Sequence, residues 1–79
     1  MKRIRIAIGS VTYAEKGKSA LASHGIPARV VRLDPRETTK GCAFALELVG
    51  TATVSELRSI LSASHVRFTE ILVDDLPML

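Results

Sequence analysis

The chain has 79 residues, a net charge of +3, 47% hydrophobic content and only 4% aromatic content: enough for one domain (1–79) and too apolar for a disordered chain. With so few aromatics the core must come from Val, Leu, Ile and Ala, which favours tight sheet-and-helix packing over a large ligand cavity. One cysteine and two distant histidines exclude an internal disulfide framework, give no metal-ligand spacing, and call for no cofactor.

The positive charges are scattered, a pattern that solubility alone explains. Lys2, Arg3 and Arg5 make a basic start, but Arg5 interrupts the apolar residues around it, so no signal peptide is expected. No stretch approaches the ~18 apolar residues of a membrane helix. The expected location is the cytoplasm, with no membrane partner.

In chain order, residues 3–9 alternate, with Ile4, Ile6 and Ile8 on one face and Arg3, Arg5 and Ala7 on the other. This predicts a half-buried strand. Thr12 to Glu15 reads as a capping box opening a helix whose stripe holds Tyr13, Gly17, Ala20, Leu21 and His24. Gly25 ends it and Pro27 prevents its continuation. Gly17 inside that helix costs about 1 kcal/mol relative to Ala, a cost that close approach to the sheet would explain. Residues 28–33 form a second strand, and 34–41 a polar turn-like segment. A third strand is expected over about 43–49, with Phe44, Leu46 and Leu48 on one face and Ala43, Ala45 and Glu47 on the other. Thr53 to Glu56 is a second capping box, followed by an apolar helical face of Val54, Leu57, Ile60 and Leu61. Residues 67–74 form a fourth strand, and the tail 75–79, with Pro77, is expected to be loosely held.

The order is βαββαβ, two similar βαβ halves. Right-handed crossovers place both helices on one face of a four-stranded antiparallel sheet, an α+β, ferredoxin-like arrangement. The other face carries Arg5, Ala7, Ala43, Ala45 and Glu47. An Ala-rich open face of this kind suits pairing with a second copy, so a homodimer is one expectation and a solvated face the other.

Cys42 is the one candidate reactive group. Only a thiolate is nucleophilic, and an unperturbed thiol has a pKa of about 8.5. Arg36 and Lys40 would lower it if their segment folds back over Cys42, and Gly41 would let backbone N–H groups turn toward the sulfur. Composition alone favours the other reading, in which Cys42 is a small buried hydrophobe at the start of the third strand.

The runs His24-Gly25-Ile26-Pro27, Leu33-Asp34-Pro35-Arg36-Glu37 and Gly41-Cys42-Ala43-Phe44-Ala45-Leu46 resemble the selenium/sulfur carrier-like family. Its pattern is a helix ending in Gly-Ile-Pro, a strand, Pro-Arg-Glu, a Ser/Thr-rich turn and Gly-Cys-Gly before an apolar strand. Ala43 departs from the second Gly. The resemblance implies a carrier rather than a complete enzyme. In it, Cys42 would take sulfane sulfur or selenium from a donor such as a cysteine desulfurase, hold it as a persulfide-type adduct and relay it to an acceptor protein. It also implies that Arg36 and Lys40 stabilise the anion and that Glu37 tunes or orients Arg36.

Two other readings compete. One is a regulatory or protein-interaction domain that dimerises through its open sheet face without covalent chemistry. The other is RNA binding, since residues 40–47 echo the aromatic strand of the RNA-recognition module. Cys42 and Glu47 replace two of its aromatics, and that module would need residues 43, 45 and 47 in the core, where Glu47 would be costly. Nucleic acid is therefore not an expected partner. His24 and His65, at helix C-termini, fit the helix dipole better than catalysis.

Overall fold

The computed structural model describes residues 2–34, 36, 43–50 and 52–75. The elements are β1 (Lys2–Ile8), α1 (Val11–Ser23), β2 (Arg29–Arg32), β3 (Phe44–Gly50), α2 (Val54–Ala63) and β4 (Glu70–Asp75). The strands form one sheet in the order β2-β3-β1-β4, with every neighbouring pair antiparallel. This is the expected α+β, ferredoxin-like βαββαβ arrangement.

Strand β1 lies inside the sheet, flanked by β3 and β4. Its partners on β3 run from Ile8↔Phe44 to Lys2↔Gly50, and on β4 from Ala7↔Glu70 to Lys2↔Asp75. Because side chains alternate, this register puts Ile4, Ile6 and Ile8 on one face with Phe44, Leu46 and Leu48. The main core consists of Ile4, Ile6, Ile8, Leu46 and Leu48 from the sheet, Ala14 and Leu21 from α1, Leu57 and Leu61 from α2, and Val66. Each of its larger side chains contributes about 1.5–3 kcal/mol on burial.

Helix α1 buries Ala14, Gly17 and Leu21, the i, i+3, i+7 stripe of a helix face. Tyr13 and His24, expected on that stripe, are exposed. Gly17 has the predicted reason: a Cβ there would lie 2.8 Å from Leu46 Cδ1 and 3.4 Å from Leu61 Cδ2 and Val66 Cγ1. The N-cap is Ser10, not Thr12; the Ser10 hydroxyl accepts from the Tyr13 N–H at 3.4 Å. Only Gly9 separates Ser10 from the end of β1, so the helix starts as soon as the chain leaves the sheet. In α2 the expected cap holds: Thr53 Oγ1 accepts from the Glu56 N–H at 3.1 Å.

Both helices end alike. The Gly25 and Ile26 N–H groups donate to the Ala22 and Leu21 carbonyls, and the His65 and Val66 N–H groups to those of Ser62 and Leu61. These paired bonds form a Schellman motif at each end. Strand β4 starts at Glu70, later than the expected residue 67. Continuing its register backward would pair Phe68 and Arg67 with Gly9 and Ser10, where β1 has already given way to the α1 cap. Asp75, expected in a loose tail, is the last residue of β4; residues 76–79 lie outside the described residues. No helix among the described residues is long and apolar enough to cross a membrane.

Candidate functional site

The sequence directs attention to residues 36–42. Of the named residues, Arg36 is described; Glu37, Lys40, Gly41 and Cys42 lie outside the described residues. What the structure defines is the frame around them. The Leu33 N–H donates to the Ala43 carbonyl at 2.8 Å. That bond extends the β2–β3 ladder by one pair and joins the two ends of the segment containing Cys42. In the chain, Cys42 immediately precedes Ala43, the residue that opens this ladder on the β3 side.

Arg36 is held by Asp34. Its Nε donates to both carboxylate oxygens at 3.1 Å, its Nη2 to Oδ2 at 2.7 Å and its backbone N–H to Oδ1 at 3.0 Å. This combines a bidentate ion pair with an Asx-type turn, in which the side chain of one residue ties down the backbone two residues on. Arg36, first through its guanidinium and then through its backbone N–H, holds the Asp34 carboxyl below the ordinary 3.8, and Asp34 raises Arg36 in turn. The resemblance implies that Glu37 tunes or orients Arg36, and Glu37 lies outside the described residues; among the described residues Asp34 holds Arg36. The signal was present in Asp34-Pro35-Arg36, a turn-forming sequence whose Asp is placed to bind the residue two ahead. Arg32, just before the segment, lies over the Phe44 ring at 5.9 Å, a cation–π contact.

The sheet face away from the helices carries Arg3, Arg5, Ala7, Ala43, Ala45 and Glu47, as the alternation predicts. It is not an open alanine surface, however. Ala7 and Ala45 have no exposure, and they form a second small core with Leu33, against which Val31 packs. Those two alanines are covered within the single chain, and Ala43 is the exposed alanine of the face. The rest of the face is ionic. Arg29 Nη2 donates to Glu47 Oε1 at 2.7 Å, and Arg3 and Arg5 both donate to Asp74 Oδ2, at 3.1 and 3.2 Å. Those arginines, Arg3 foremost, hold the Asp74 carboxyl below its ordinary value.

Neither of the remaining expectations gives a rival site. Phe44 is on the helix side of the sheet, and the described residues of the opposite face include no aromatic, so an aromatic platform for RNA bases is missing there. His24 Nδ1 lies 3.0 Å from the Ala20 carbonyl at the end of α1. His65 is exposed at the end of α2. A shallow groove lined by His24, Ile26, Leu48, Ala52 and Glu56 lies at the opposite end of β3 from Ala43. No group of three or more potential metal ligands occurs among the described residues.

No curated protein matches the chain. Residues 4–73 match the family model described as "Putative Se/S carrier protein-like", a span that takes in the whole sheet core, both helices and the Asp34–Ala43 frame. The chain belongs to that family.

Proposed function

We propose that this protein is a cytoplasmic, single-domain sulfur or selenium carrier that holds its cargo on Cys42. The observation that carries this reading is the family match across residues 4–73, taken with the fact that the chain has only one cysteine and that it falls within that span. The Leu33–Ala43 backbone bond also supports it, because a segment tethered at both ends beside an edge strand can present a thiol to another protein.

The transfer is a thiol–persulfide exchange. The Cys42 thiolate attacks the terminal sulfur of a donor persulfide, such as that of a cysteine desulfurase. The new bond is Cys42 Sγ to the transferred sulfur; the donor's S–S bond breaks and the donor sulfur leaves as a thiolate. The proton stays on the transferred sulfur, so no external oxidant or reductant is consumed. In this reading Arg36, oriented by Asp34, and Lys40 favour the thiolate over the thiol, Glu37 adjusts Arg36, and Gly41 lets backbone N–H groups approach the sulfur. An acceptor protein then repeats the exchange at the outer sulfur.

The test is transfer of radiolabelled sulfur from a desulfurase charged with labelled cysteine, comparing the wild type with Cys42→Ser. The reading requires label on the wild type and none on the variant. Equal labelling of both, or of neither beside a competent control thiol, would refute it.

A further inference from the structure

The two edges of the sheet carry opposite charge. Edge β2 reads Arg-Val-Val-Arg, with no acidic residue, and edge β4 reads Glu-Ile-Leu-Val-Asp-Asp, with no basic one. Exposed edges are pairing templates, and like charges on them block pairing. Two β2 edges would gather the arginines of both copies, and two β4 edges would gather their carboxylates. Only β2 against β4 brings opposite charges together.

The backbone agrees. The Leu33–Ala43 bond shows which β3 residues point their polar groups toward β2. Alternation through the registers then leaves the N–H and C=O groups of Val30 and Arg32 on the outer edge of β2, and those of Ile71 and Val73 on the outer edge of β4. The two strands run in opposite directions within one molecule, so copies related by translation present them antiparallel.

We propose that copies of this chain associate head to tail by pairing the β2 edge of one with the β4 edge of the next. One register satisfies every observation. It sets Val30 opposite Val73 of the second copy, giving Val73, which is 41% exposed, an apolar partner, and Val31 opposite Leu72. It also sets Arg29 opposite the second copy's Asp74. Arg29 uses Nε and Nη2 on Glu47, leaving Nη1; Asp74 receives both arginines on Oδ2, leaving Oδ1. The new pair would join the ladders of the two copies. Each contact leaves one β2 and one β4 edge free, so the association continues past a dimer.

Sedimentation velocity across a concentration series at low and high salt tests this. The expected result is a weight-average mass that rises with concentration at low salt, with the rise lost at high salt. Arg29→Asp sets two carboxylates opposite each other at the 29/74 pair and Asp74→Arg sets two guanidiniums there, so each variant alone stays monomeric and their mixture, which restores an opposite-charge pair, associates. A monomeric wild type at all concentrations, or a mixture no heavier than its parts, overturns the proposal. Because Asp74→Arg also removes the partner of Arg3 and Arg5, amide exchange provides a second readout on the wild type. Concentration-dependent protection of Val30 and Arg32 is required, and its absence during association would place the contact elsewhere.

Discussion

His65 holds at the end of α2 the left-handed backbone position that Gly25 holds at the end of α1, with φ of +57° and +75°. Each is followed by an apolar residue, Val66 or Ile26, that turns back onto the core. A side chain in this conformation costs about 1–2 kcal/mol, and glycine removes that cost while adding freedom to the unfolded chain. His65→Gly should therefore stabilise the protein by up to about 1 kcal/mol, seen as a rise of a few degrees in Tm. Gly25→Ala should do the reverse. Thermal unfolding of the two variants checks both signs.

Gly17 should tolerate little. Valine there drives its Cβ against Leu46, Leu61 and Val66, all buried, and overpacking of this kind costs about 1–3 kcal/mol. Denaturant unfolding should show the midpoint falling without a change in slope. Gly17→Ala should cost less, because its helix propensity offsets part of the contact with the flexible end of Leu46.

Asp34 and Asp74 both titrate below the ordinary carboxylate value of 3.8. A depressed folded-state pKa contributes stability that is present above the unfolded value and is lost as pH falls through the folded one. Stability should thus hold above about pH 4 and decline below it, and Asp74→Asn should flatten part of that decline. Carboxyl NMR titration should show Arg3→Ala raising the Asp74 midpoint more than Arg5→Ala does, since Arg3 is the larger cause.

Much of this was legible in the sequence. The Ile4-Ile6-Ile8 alternation, the Thr53–Glu56 cap and the small residue at 17 each reflect local chemistry, and each predicted what the fold contains. The misses came from contacts distant in sequence or from competing local options. Ser10 and Thr12 are both good caps, and only the end of β1 decides between them. Ala7 and Ala45 look open until Leu33 is brought beside them. The bond from Arg3 to Asp74 spans 71 positions, beyond the reach of any local pattern. At the candidate site, Asp34 reads in the sequence as part of a polar turn, and its carboxylate is what fixes Arg36.

The central claim is that Cys42 accepts sulfur. Intact mass spectrometry after incubation with a cysteine desulfurase and cysteine tests it most directly. The account predicts a gain of one sulfur atom, located on Cys42, reversed by a thiol reductant and absent in Cys42→Ser. An unmodified protein, under conditions where a control thiol gains sulfur, would contradict it.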